Sequence, residues 1–140
     1  MNVSLATAAL LAALIAAPAV HAADLTVNLN EIRAQTGVIK IGLVDSVEAW
    51  NGAAPPVQGT GGPPTGEAQT FTFKDLAPGT YALMITHDEN GNGKLDTNAL
   101  GMPLEGYGFS NNPRVMRKPT FAEAQFTVGA DNVVVAVELR

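Results

Sequence analysis

The stretch with the most potential for chemistry is DENGNGKLD, residues 88–96. Oxygen-bearing side chains fall at Asp88, Asn90, Asn92 and Asp96, which are positions one, three, five and nine of a calcium loop counted from Asp88. Gly93 takes the sixth position, where the chain must turn sharply, and Lys94 the seventh, where only a backbone carbonyl is needed. Leu95 follows, an apolar residue able to anchor the loop on the body of the protein. The spacing suits a hard cation because alternate residues of a tightly curling backbone point at one centre. The pattern departs from an EF-hand at position twelve, where Ala99 replaces the bidentate glutamate. Glu105 is the nearest carboxylate that could replace it, Asp45 is a more distant one, and water is the third option. With two charged side chains in the set, calcium affinity is expected at about 10⁻⁴–10⁻³ M, as in extracellular modules. The competing reading is a bare hairpin turn, since Asn90-Gly91 and Asn92-Gly93 accept positive φ cheaply. A bare turn, however, requires neither an Asp at each end nor an oxygen at every second residue.

Beside this loop lies GMPLEGYGFSNNPRVMRKPTF, residues 101–121. Tyr107, Phe109 and Asn111 would offer rings and an amide on the same rim as Glu105, groups that suit an envelope glycan or a protein partner. Arg114, Arg117 and Lys118 allow an anion site, although a solvated basic face is the commoner outcome. Catalytic signals are poor. Beyond residue 22 the one histidine is His87 and cysteine is absent, so a zinc site of ordinary His/Cys type is excluded. Ser46 and Ser110 sit in no nucleophile elbow that could be paired with His87, and nothing recommends Glu105 with Asp96 as a carboxylate pair. The expected product is non-enzymatic.

What must position these residues is a set of strands. LTVNLN (25–30), GVIKIGLV (37–44), QTFTFK (69–74), TYALMIT (80–86), AQFTV (124–128) and NVVVAVEL (132–139) carry apolar side chains in period two. One-faced sheets must cover each other, so the fold expected is all-β: a single antiparallel Greek-key sandwich of about seven strands over residues 23–140. Pro78-Gly79 reads as a turn with glycine free to take positive φ, after which Tyr81 returns with its hydroxyl in reach of backbone, as at a tyrosine corner. The Pro/Gly-rich run 45–68 is too long for an ordinary connection, so it is functional or mobile. Trp50 within it is expected to pin the loop to the core rather than to stack on a flat ligand.

Residues 1–22, with an apolar run ending at Pro18 and small residues at Val20 and Ala22, read as a signal peptide cleaved before Ala23. Absence of cysteine argues against a lipid anchor, and no later run is long enough to span a bilayer. The expected location is periplasmic or secreted. The net charge of −5 argues against nucleic acid and is compatible with a cation. Without disulfides, an exported domain of this size relies on packing, or on packing plus a metal.

The motif Phe73 followed by Leu76-x-Pro78-Gly79-x-Tyr81 resembles the transthyretin-like and carboxypeptidase-regulatory-like sandwiches of exported proteins. FKDLAPGTYALMITHDENGNGKLDTNALGMPLEGYGFSNN with PTFAEAQFTV is similar to the exported bacterial domain of unknown function numbered 2141. That resemblance implies a small secreted bacterial β-sandwich in which the 88–96 loop belongs to a shared design, and it implies no activity.

Overall fold

A computed structural model describes residues 20–140; the expected signal peptide lies almost wholly outside them. The described residues form eight strands and two one-turn helices. In chain order these are β1 (Ala23–Asn30), β2 (Val38–Val44), α1 (Val47–Trp50), β3 (Gln58–Gly62), β4 (Gln69–Leu76) and β5 (Gly79–Asp88). After them come β6 (Tyr107–Phe109), α2 (Phe121–Ala124), β7 (Phe126–Val128) and β8 (Val133–Glu138). One sheet runs β4-β1-β8, the other β3-β2-β5-β6, and β7 pairs with β5 beside the second. No helix among the described residues is long and apolar enough to cross a membrane.

The period-two pattern builds the core as expected. Leu25, Val27 and Leu29 of β1, with Phe71 and Phe73 of β4, meet Ile39, Ile41, Leu43, Leu83 and Ile85 of the second sheet in one buried cluster. Burial of these aliphatic and aromatic faces is the main force holding the sheets together, at about 1.5–3 kcal/mol per fully buried large side chain.

Three sequence expectations need correction. The sandwich is not wholly antiparallel: β1 and β8 run parallel, from Leu25↔Val133 to Asn30↔Glu138. β8 follows β7, which lies against β5, so the chain crosses to the other sheet and arrives alongside β1 in the same direction. Parallel neighbours require such a crossover, and the chain's first and last strands have ample connection for it. Next, five residues of the Pro/Gly-rich run join the sheet, where β3 pairs with β2 from Ile39↔Gly62 to Leu43↔Gln58. Glycine there has a steric cause: a Cβ on Gly61 would lie 2.1 Å from the Ile39 carbonyl oxygen. Finally, the positive φ before the Tyr81 turn belongs to Asp75, at 58°, and Gly79 is not left-handed. The tyrosine corner itself forms, with Tyr81 Oη donating to the Ala77 carbonyl at 2.7 Å.

The outer face of the second sheet is partly covered by the two helical turns. Trp50 packs there with Val44, Ala82 and Ala124, its ring 5.6 Å from Phe109 and 6.3 Å from Phe121. Its indole N–H donates to the Pro119 carbonyl at 2.9 Å. Trp50 is therefore a buried pin, as its bulk implied.

Candidate functional site

β5 carries the loop. Its last residue, Asp88, lies opposite Val38 at the start of β2, so the loop leaves from the open end of a paired strand. The turn before β2 crowds that end. Gly37 has φ 76°, and a Cβ on it would stand 1.9 Å from the Asp88 carbonyl oxygen, which no side chain could tolerate.

From Asp88 the chain curls back on itself. Asp88 is nearly buried, and its two carboxylate oxygens accept from Asn92 N at 3.1 Å and Gly93 N at 2.7 Å. Gly91 and Gly93 take the positive φ values, 73° and 88°, which close the curl without Cβ strain. Asn90 Oδ1 accepts from Asn92 N and Asn92 Oδ1 from Lys94 N, both at 3.1 Å. Across the curl stands Asp96, which accepts from Asn90 Nδ2 at 2.6 Å and from Asn92 Nδ2 at 2.8 and 2.9 Å. The Asn92 amide, then the Asn90 amide, hold the Asp96 carboxyl below the usual aspartate range. Asp88, Asn90, Asn92 and Asp96 are thus brought round one small volume.

Glu105 joins them from outside the curl. It is buried, and Oε1 accepts from Glu89 N at 2.9 Å and Asn90 N at 3.3 Å, while Oε2 accepts from Asp96 N at 2.9 Å. A single carboxylate therefore ties both ends of the loop through three backbone amides. Asp45 does not come near: β2 pairs Val38 with Asp88 and Val44 with Ala82, which leaves Asp45 beyond the far end of the strand.

Several residues that spacing did not flag complete the site. Lys40 Nζ lies 3.7 Å from Asp88 Oδ2 and 3.4 Å from the Gly93 carbonyl. Glu89 Oε1 accepts from Arg33 Nε and Gly106 N, each at 2.8 Å. Thr36 Oγ1 donates to the Glu89 carbonyl at 2.9 Å. His87 points into the core, with Nε2 2.7 Å from the Thr36 carbonyl, so that nitrogen carries the proton. Its Nδ1 is buried with no partner. Arg33 and Thr36 come from the β1–β2 turn and Lys40 from β2, both far away in sequence, so only the strand pairing could have revealed these contacts.

The proposed aromatic rim is less free than its sequence implied. Tyr107 is half-buried and edge-on to Phe109 at 6.0 Å, and Phe109 in turn packs on Trp50. Asn111, left-handed at φ 65°, spends its amide on the carbonyls of Glu123 at 3.2 Å and Gln125 at 2.8 Å. Two of the three cations, Arg117 and Lys118, also have partners. Arg117 grips both oxygens of Glu123 at 2.8 and 2.9 Å, and Lys118 donates to the Trp50 carbonyl while its ammonium sits 5.1 Å from the indole ring. Partial burial pushes the Lys118 ammonium below its usual range. Neither serine meets His87, since Ser46 caps α1 and Ser110 bonds Leu83 N and the Ala124 carbonyl.

Sequence comparison matches residues 27–136, most of the chain and the whole of the loop, to the family described as "Uncharacterized protein conserved in bacteria (DUF2141)". The chain belongs to this family. In this DUF2141 chain the matched region runs from β1 into β8, so the loop, Glu105 and the Trp50 pin all fall inside it. No curated protein and no solved structure matches the chain.

Proposed function

We propose that the protein is an exported, non-enzymatic β-sandwich module whose 88–96 loop binds calcium weakly, and that it serves as a structural or binding component of the cell envelope. The observation that carries this reading is the gathering of Asp88, Asn90, Asn92 and Asp96 around one curl, at the calcium-loop spacing. Among the described residues no three His, Cys, Asp or Glu side chains cluster as a metal site, so a cation here must draw on amide and carbonyl oxygens as well. That donor set suits a hard cation.

Asn90 and Asn92 now present amide nitrogens to Asp96 while their oxygens accept from Asn92 N and Lys94 N; turning each amide over brings oxygen to the curl at the cost of those two bonds. A cation would make that exchange favourable, with the Lys94 carbonyl and water completing the shell. Glu105 holds the backbone in the curled form, and its role in this reading is to organise the loop. The second reading, a metal-free turn, is favoured by one observation: the loop's polar groups already satisfy each other.

The two readings separate by thermal melting of the protein recovered from periplasm or medium, whose first residue this reading puts at Ala23. Calcium at about 1 mM against a dissociation constant near 0.1 mM adds about 1.4 kcal/mol. The melting temperature then rises by roughly 5 °C. EDTA reverses the shift, and both Asp88→Ala and Asp96→Asn remove it. Asp96→Asn is the cleaner variant, because Asp88 also caps two loop amides. Identical melting with and without millimolar calcium leaves only the turn.

A further inference from the structure

Asn-Gly pairs occur three times in the chain, at 51–52, 90–91 and 92–93, and asparagine in such a pair is chemically labile. Glycine has no Cβ to shield its backbone nitrogen, so that nitrogen can reach the side-chain carbonyl carbon of the asparagine before it. The fold engages the three glycine amides differently. Gly52 N donates to the Ala49 carbonyl at 3.1 Å, at the end of α1. Gly93 N donates to Asp88 Oδ2 at 2.7 Å. Gly91 N has no acceptor among the described residues, although Asn92 N and Gly93 N beside it both do. Gly91 is exposed at φ 73°, and a Cβ on it would meet nothing within 4 Å, so water has open access to its nitrogen.

We propose that Asn90 is a site of spontaneous deamidation, selected over Asn51 and Asn92 by the unengaged amide of Gly91. The nucleophile in this reaction is the deprotonated glycine nitrogen. At Gly93 that anion would form 2.7 Å from an Asp88 carboxylate oxygen, so like charge opposes it, and at Gly52 a backbone hydrogen bond would be lost. At Gly91 hydroxide takes the proton with neither penalty. The nitrogen then bonds to Asn90 Cγ, the Cγ–Nδ2 bond breaks, and Nδ2 takes up a proton and leaves as ammonia. Water adds to either carbonyl of the resulting cyclic imide and opens it to aspartate or isoaspartate, so the net change is water in and ammonia out. Both loop asparagines have Oδ1 polarised by a backbone N–H at 3.1 Å, from Asn92 and Lys94, so the choice between them falls to the glycine amide. The product alters the curl. Asn90 Nδ2 donates to Asp96 Oδ2 at 2.6 Å, and an oxygen in its place turns that bond into repulsion between carboxylates. A further consequence rests on the calcium reading: charged side chains at the four spaced positions rise from two to three, which favours a hard cation.

The test holds the folded protein in mildly alkaline buffer with EDTA and follows each asparagine by fragment-ion mass spectrometry, which locates the gain of one dalton that exchanging NH₂ for OH brings. Asn90 should gain it faster than Asn51 or Asn92 by roughly fivefold or more, the factor that one ordinary hydrogen bond is worth. In concentrated urea the three rates should converge, because only the shared Asn-Gly sequence remains. Equal rates in the folded protein, precedence of Asn51 or Asn92, or a preference for Asn90 that persists in urea overturns the proposal. Asn90→Asp, which carries the side chain of the aspartate product, should melt below the parent in EDTA; melting with the parent overturns the repulsion drawn for the curl. The mapping is done without calcium, so a failure of the calcium reading leaves its outcome unchanged. That failure would show instead as an Asn90→Asp variant whose melting calcium does not raise.

Discussion

Opposite ends of the β2–β5 pair are closed in two different ways. Near Val44 and Ala82 the closure is aromatic: Trp50 is buried between Phe109 and Phe121 and is clipped by the Pro119 carbonyl and the Lys118 ammonium. Near Val38 and Asp88 the closure is polar: Glu105 reaches three amides, and the curl holds itself with Asn-to-Asp bonds. The first rests on area removed from water, which is insensitive to ions and pH. The second rests on directional bonds to charged groups, which solution conditions can alter. A sandwich built this way has one fixed end and one adjustable end, and the adjustable end carries the candidate cation loop.

The widest gap between the ends should appear on truncation. Trp50→Ala removes a buried indole and leaves a cavity, costing about 3–5 kcal/mol. For a domain of this size the melting temperature falls by well over 10 °C. Any calcium-dependent shift should be retained, because distant sites without shared partners add independently. A loss in Trp50→Ala smaller than that of the polar end would reverse the ranking of the two closures.

Glu105→Gln probes the polar end at a smaller cost. The glutamine keeps one acceptor but turns an NH₂ towards an amide that the carboxylate had accepted, so donor faces donor. A loss of about 1–3 kcal/mol is expected. Hydrogen exchange gives the sharper reading: the amides of Glu89, Asn90 and Asp96 should lose protection while those of Leu83 and Ile85 keep it. Uniform loss across β5 would mean that the two ends form a single cooperative unit.

The same division explains what could be read from sequence. Strands β1, β2, β4, β5 and β8 announce themselves because burying one face of a pleated strand forces alternation, and Trp50 does so because its size leaves it few places outside a core. β3 was hidden because QGTGG has no apolar alternation; it is selected for lack of bulk against the Ile39 carbonyl. β8's parallel partnership was hidden by the fact that alternation carries no direction. At the loop, the spacing identified which side chains converge, since that is local. The hold of Glu105 on amides nine to sixteen residues back, and the contacts of Lys40 from β2 and of Arg33 and Thr36 from the turn before it, depend on tertiary register.

The smallest expected effect concerns a charged device at the aromatic end. Thr120 and Glu123 form a capping box on α2, and Arg117 grips the same carboxylate. Arg117 first, then the Thr120 backbone N–H, hold the Glu123 carboxyl well below the usual 4.5, at about 2. Its folded value lies under its unfolded one, so its contribution to stability is full above about 4.5 and is lost as pH falls towards about 2. Asp96 follows the same sign in the loop, contributing fully above the usual 3.8 and losing that contribution as acid protonates it, with the Asn92 amide as the main cause. Both carboxylates face solvent, so each should change overall stability only slightly. Side-chain carboxyl shifts followed by NMR from neutral pH downwards should give Glu123 a midpoint near 2. They should give Asp96 a midpoint below the aspartate norm, and adding calcium should move only the latter further down, because a bound cation adds a charge beside Asp96 and none beside Glu123. If Glu123 titrates as an ordinary glutamate, Arg117 is not held in solution and the aromatic end stands on packing alone; if calcium shifts both groups equally, the adjustable and fixed ends are not separate.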